Sequence, residues 1–288
     1  MTSLRQKLID ELDLRGLSPR TRDSYVAAVR QLARYYQAAP DALREEQIKS
    51  YLLHLIRERG FKPNSMNVHV SALRFFYETV LGRSFAEVIA ALPRMKRAVK
   101  RPQVYAQVEL ERLFKAPRLN PKHRVLLMTA YAAGLRVSEL CRLTPHDILS
   151  QRMQIRVTEG KGRKDRYTVL SSKLLAELRD YWRKYRPRRW LFPTQTQQDK
   201  PITTRTAQRV FRRALTLAEL QNRGGIHALR HSFATHLLES GVDLPVLQRL
   251  LGHRSLSATV VYLHVANTRL AQVRSPFDLI DFAAIKTI

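Results

Sequence analysis

Acidic residues are scarce in this chain. Its 288 residues carry 24 Asp and Glu against 51 Lys and Arg, a formal net charge of +27. That excess calls for a polyanionic partner, and nucleic acid leads because Lys and Arg that neutralise phosphates release condensed counterions. A ribosomal-type or merely very soluble basic protein is the plainer alternative. Cysteine is nearly missing: Cys141 stands alone, which excludes an intramolecular disulfide and suits a reducing compartment. Its neighbours Leu140 and Leu143 mark a buried thiol rather than a nucleophile. No stretch approaches the ~20 apolar residues of a membrane span. The charged, amphipathic N-terminus lacks the apolar run of a signal peptide. A soluble, cytoplasmic protein is expected. No internal repeat or low-complexity segment stands out.

The first third of the chain reads as about four helices. One lies near residues 3–15. Ser18 and Pro19 start a second, a hydroxyl to cap followed by a proline whose missing N–H does no harm there. Tyr25, Val29, Leu32, Ala33 and Tyr36 then recur at helical spacing. Ile48, Leu52, Leu55 and Ile56 share one side of a helix over 45–58, which Gly60 ends. The next starts near Asn64 and Ser65 and runs to Gly82. Residues 93–104, PRMKRAVKRPQV, carry two prolines, a basic run and almost no apolar periodicity. They read as an interdomain linker lying along phosphates through Lys96, Arg97, Lys100 and Arg101. The remainder is mixed. Helices are expected at 107–116, 121–133, 138–143, 172–185 and 204–219. Strands at 154–158 and 166–170 flank a glycine-rich, basic loop and suggest a β-hairpin. Three consecutive helices over 227–265 are broken at Gly241 and Gly252.

Four segments carry residues suited to chemistry. In AAGLRVSEL, Arg136 follows Gly134 where a new helix starts, so its planar fork can face two oxygens of one phosphate, with Glu139 three residues on as a partner. At the hairpin tip, the glycines of GKGRKDR allow close backbone approach. Lys161 there can contact a DNA strand or give up a proton, and Arg163, Lys164 and Arg166 can touch phosphates. The spacing is not that of a Walker-type loop. In HALRH, His227 and Arg230 share a helical face, placing a group that titrates near neutrality beside a fixed charge. His231 and His236 read as core or surface residues. A metal site from His227 and His231 is disfavoured, because no HExxH glutamate is present and the adjacent arginine repels a cation. In LLGHRSLSATVVYLHV, His253 follows Gly252 and Tyr262 lies nine residues on.

Together these residues have one chemical reading. A tyrosine hydroxyl, with a pKa of about 10, needs a base or a positive field before it attacks. Arginines stabilise the charge that grows on an attacked phosphodiester. A lysine can protonate the leaving oxygen. The matching segments, AAGLRVSEL, GKGRKDR, HALRHSFATHLLESGVDLPVLQRLLGH and the Tyr-x-His of YLHV, resemble the tyrosine recombinases, the phage integrase family, in order and spacing over about residues 105–270. The resemblance implies a mainly α fold with a small β-sheet: an N-terminal helical core-binding (SAM-like) domain over 1–92, a basic linker over 93–104, a mixed α/β catalytic domain over 105–274 and a C-terminal tail over 275–288.

The family's roles fall on residues as they stand here. Arg136 and Arg230 match the two phosphate-clamping arginines, and Lys161 the general acid for the 5′-hydroxyl. His227 matches the position that assists proton transfer, His253 the later phosphate-binding histidine, Glu139 the acid that positions the first arginine, and Tyr262 the nucleophile. The resemblance further implies a 3′-phosphotyrosyl intermediate with no metal, nucleotide or other cofactor. The implied partners are double-stranded DNA with a specific core site and a homotetramer on two sites passing through a Holliday junction, formed from free monomers or dimers. The setting is the bacterial nucleoid. The apolar tail after Pro276, with Phe277, Leu279, Ile280 and Phe282, would dock on a neighbouring protomer or on its own domain. The ending is similar to integrases of mobile elements, so integration or resolution of such an element is expected, with chromosome-dimer resolution as the alternative. Three rivals stay in view: a type IB topoisomerase, a DNA-binding protein without catalysis, and a metal-dependent nuclease. The last is opposed by the lack of a carboxylate cluster.

Overall fold

A computed structural model describes residues 3–86, 88, 102–158 and 165–263. The chain divides into two compact units, Met1–Val99 and Lys100–Ile288. The segment from 89 to 101, which holds most of the expected linker, lies outside the described residues.

The first unit packs α1 (Ser3–Leu14), α2 (Pro19–Tyr36), α3 (Glu45–Arg57) and α4 (Pro63–Arg74). The Ser18 side chain accepts from the Thr21 N–H at 3.2 Å and Pro19 occupies the first turn, so α2 starts where the sequence places its cap. The apolar stripes of these helices meet in one core around Leu12, Leu32, Leu52 and Leu73, each fully buried. Deleting a buried leucine to alanine typically costs about 2–5 kcal/mol. The last expected helix differs in its final stretch. Phe75–Val80 winds as a π-helix, and this lets Phe76 and Tyr77 both reach the core. The Tyr77 hydroxyl then donates to the Pro40 carbonyl at 2.5 Å.

The second unit begins at a buried tyrosine. The Tyr105 N–H donates to Ser232 Oγ at 2.8 Å, tying the incoming chain to a helix 127 residues later. Around that tie lie α5 (Gln107–Phe114), α6 (Pro121–Ala132) and α7 (Val137–Arg142). A three-stranded antiparallel sheet follows, β1 (Ile148–Leu149), β2 (Gln154–Val157) and β3 (Arg166–Val169), in the order β1-β2-β3. The β2–β3 register pairs Val157 with Arg166 and Gln154 with Val169, the hairpin the sequence suggests. Strand β1 has two residues, too few to show alternation. Then come α8 (Ser172–Tyr185), α9 (Thr204–Leu217), α10 (His227–Glu239), α11 (Leu244–Leu251) and α12 (Ser257–Val260). One core built from α5 to α10 and the sheet fills this unit. A smaller cluster of Phe233, Ala234, Leu238, Leu247, Leu251 and Tyr262 joins α10 to the last two helices.

Candidate active site

The site grows from two turns that only glycine permits. Gly134, at φ +59°, reverses the chain between α6 and α7. A Cβ there would sit 2.3 Å from Cδ1 of Phe233. That turn places Arg136 immediately before α7. Gly252, at φ +62°, caps α11 in the left-handed conformation, and a Cβ there would sit 2.6 Å from Cδ of Arg166. Both turns need positive φ and lack of side-chain volume at once.

Three arginines converge between these turns on one carboxylate. Glu139, in the first turn of α7, accepts from the Arg136 backbone N–H at 2.8 Å and from Arg136 Nη1 at 2.7 Å. The Nη1 and Nη2 of Arg166 donate to its two oxygens at 2.8 Å each, a two-point fork. Arg230 Nη1 approaches within 3.7 Å. Burial alone would raise the Glu139 pKa. The hydrogen bonds and charge of Arg166, followed by the bonds from Arg136, outweigh it and bring the carboxyl down to about 2.

The C-terminus of α11 holds the same three guanidinium groups from the other side. Arg166 Nε donates to the Leu250 carbonyl at 2.9 Å, Arg230 Nη2 to Leu251 at 2.5 Å and Arg136 Nη2 to Gly252 at 3.1 Å. Carbonyls at a helix C-terminus lack partners within the helix and form the negative end of its dipole. Arg230 also donates to the Gly134 carbonyl at 2.8 Å and is 1% exposed. Burial, then the charge of Arg136, lowers its pKa to about 10, still charged at neutral pH.

Tyr262 is buried, 2% exposed, in the turn after α12. Burial raises its pKa above the usual tyrosine value, while the charges of Arg230 and Arg136 oppose the rise. Its hydroxyl lies 3.0 Å from Nδ1 of His231. The His253 ring lies parallel to the Tyr262 ring, 6° apart at 6.3 Å, and its Nδ1 pairs with Thr259 Oγ1 at 2.9 Å. His227, in the first turn of α10, meets the His231 ring edge-on at 5.3 Å. Burial and the neighbouring positive groups lower the pKa of all three histidines, to about 4 for His231 and His253. His231 and His253 are therefore neutral at neutral pH.

The structure therefore brings together Arg136, Glu139, His227, Arg230, His253 and Tyr262. Lys161, Arg163 and Lys164 lie outside the described residues, as do Lys96, Arg97, Lys100, Arg101 and the tail from 264 onward. Arg166 differs from its expected place on DNA phosphates. Its guanidinium turns inward, and Glu139 and the Leu250 carbonyl occupy all three of its nitrogens. His231, expected as a core or surface residue, is half-buried and its Nδ1 faces the Tyr262 hydroxyl. Its i, i+4 spacing from His227 is the one signal in the sequence, and spacing alone points to a metal pair rather than to a tyrosine. Among the described residues, no group of three or more His, Cys, Asp or Glu is arranged to hold a metal ion, and no helix is long and apolar enough to cross a membrane.

Known proteins share this sequence pattern and this fold. Residues 103–269 match the phage integrase family, and residues 4–87 match the phage integrase N-terminal SAM-like domain. The chain belongs to the phage integrase family, the tyrosine recombinases. Its sequence is 44% identical to the putative integrase/recombinase y4qK of Sinorhizobium fredii, over 97% of this chain and 90% of that protein. It is 34% identical to tyrosine recombinase XerA of Thermococcus kodakarensis, covering 94% and 93% of the two chains. The fold is shared with a lambda integrase tetramer bound to a Holliday junction, with a TM-score of 0.73 and 20% identity over 90% of this chain and 76% of that one.

Proposed function

We propose that this chain is a site-specific DNA recombinase whose Tyr262 attacks a phosphodiester to form a 3′-phosphotyrosyl link and free a 5′-hydroxyl. One observation carries the reading. The buried Tyr262 hydroxyl lies in the field of two arginines whose guanidinium groups are fixed in advance by Glu139 and the end of α11. Donors fixed in place stabilise charge that develops in the transition state without reorganising. In this reading Arg136 and Arg230 clamp the scissile phosphate, His253 supports it and His227 assists proton transfer. Lys161 protonates the leaving 5′-oxygen. Glu139 and Arg166 position the arginines and touch no DNA. Because the bond energy stays in the phosphotyrosyl link, rejoining needs only the 5′-hydroxyl of a partner duplex.

The partner is duplex DNA with a defined core site, bound by four protomers across two sites, in the cytoplasm on the nucleoid. The boundaries 1–92, 93–104, 105–274 and 275–288 separate core-binding domain, basic linker, catalytic domain and tail. Arg205, Arg209, Arg212 and Arg213 add a DNA-facing row on the exposed side of α9, the last three beside Lys122 in a hollow of about 810 Å³. The integrase/recombinase name of y4qK fits the reading favoured here, integration or resolution of a mobile element, with chromosome-dimer resolution as the second reading.

The test is covalent trapping. The protein is mixed in chelator with nicked duplex from its own genetic neighbourhood and run on a denaturing gel. An adduct that disappears in Tyr262→Phe is expected. Tight binding at a defined site without any adduct would make the chain a DNA-binding protein instead.

A further inference from the structure

We propose that His231 is a catalytic residue of this site, the group that takes the proton from Tyr262 as its hydroxyl attacks and returns it as the tyrosine leaves. The inference rests on Tyr262 being the nucleophile. It begins with geometry. His231 lies one turn along α10 from His227, and its Nδ1 is 3.0 Å from the Tyr262 oxygen. With its own proton on Nε2, the ring presents a lone pair to the hydroxyl.

The other two histidines are placed less well for this task. Nδ1 of His253 is engaged by Thr259, and its ring lies face to face with Tyr262 rather than end-on to the hydroxyl. His227 meets His231 edge-on at 5.3 Å, and the ring whose nitrogen reaches the tyrosine hydroxyl is that of His231.

In the free protein His231 is a weak base, because burial, the neighbouring His227 imidazole and the charge of Arg230 oppose its protonation. Substrate changes that. A scissile phosphate between Arg136 and Arg230 brings negative charge into the same field and offsets what weakens the imidazole. Its basicity therefore rises when a target is in place, and a tyrosine without DNA stays protonated. That coupling protects the hydroxyl from adventitious reaction.

The step balances. The Tyr262 Oη–P bond forms and the P–O5′ bond breaks. The tyrosine proton passes to His231 Nδ1, and the 5′-oxygen takes a proton from the cationic acid assigned to Lys161. On rejoining, the 5′-hydroxyl gives its proton back to the neutral amine assigned to Lys161 as O5′ attacks the phosphorus, the Oη–P bond breaks and the His231 imidazolium protonates the departing tyrosine.

The experiment measures single-turnover cleavage of the site duplex by His231→Ala, His231→Asn and Tyr262→Phe in the full chain. His231→Asn keeps a polar group near the hydroxyl but accepts no proton. It should bind DNA as the parent does and cleave about 10²-fold slower or worse, the usual scale for a lost general base. His231→Ala should be equally slow and regain rate with added imidazoles, faster with more basic ones. A role in packing alone would not follow imidazole basicity. Parental rates in both His231 variants, or no dependence of rescue on imidazole pKa, would overturn the inference while leaving Tyr262 as nucleophile. An adduct that persists in Tyr262→Phe would overturn both.

Discussion

Replacing Glu139 by Gln removes the one negative charge on which three guanidinium groups converge. Arg230 and Arg166 keep only 2% and 10% of their side-chain surface exposed. They cannot recover full hydration when the carboxylate goes. Removing one partner of a buried ion pair typically costs about 3–5 kcal/mol, because the remaining charge is left uncompensated. The carbonyls of Leu250, Leu251 and Gly252 still accept from the arginines, which favours the lower end, about 3 kcal/mol. For a unit of this size each kcal/mol lowers Tm by roughly 2–4 °C, so the fall should be about 6–12 °C. Both tryptophans, Trp182 and Trp190, lie in the second unit, so their emission during urea unfolding reads that unit alone. The charge also sets an acid limb. With its folded pKa held at about 2 against an ordinary value of 4.5, Glu139 contributes stability that is fully present above pH 4.5 and lost as pH falls towards 2. Glu139→Gln should flatten that limb. A urea midpoint within experimental error of the parent would refute the account of Glu139 as the organiser of the arginines.

Further outcomes follow from the same contacts. His231 and His253, held at about 4 against 6.5, bind protons more readily when unfolded, so stability should decline as pH falls from 6.5 towards 4. Urea midpoints across that range check this, and His253→Asn should reduce the slope. Gly134→Ala combines a disfavoured φ with a collision against the buried Phe233 ring. It should cost about 2–4 kcal/mol, read by the same tryptophan emission. If the α9 row lies on phosphates, replacing Arg209 and Arg213 by Ala should weaken DNA binding and reduce the steepness of log Kd against log salt by about 1–2, measured by fluorescence anisotropy. Tyr262 adduct formation at saturating protein should be unchanged in that variant.

Much of this is legible in the residues. The Ser18–Pro19 start of α2, the β2–β3 hairpin and the breaks at Gly241 and Gly252 all rest on local chemistry, namely capping, alternation and positive φ. What a sequence does not display is direction. Arg166 sits in a basic loop segment and reads as a phosphate contact, yet its fork turns inward because Glu139 and the α11 terminus offer it three acceptors. Those acceptors come from 27 and 84 residues away. The carbonyls of Leu250, Leu251 and Gly252 carry no side-chain signature at all; they matter because α11 stops there. His231 is hard to single out for a similar reason, since its partner Tyr262 lies 31 residues on and only the packing of α10 against the last turn joins them.

The most direct measurement of the central claim is the chemical identity of the trapped link. The protein–DNA adduct would be digested with nuclease and protease and the modified peptide sequenced by mass spectrometry. A nucleotide joined through its 3′-phosphate to Tyr262 is expected. A link to any other residue, or a 5′-phosphate on Tyr262, would contradict the claim.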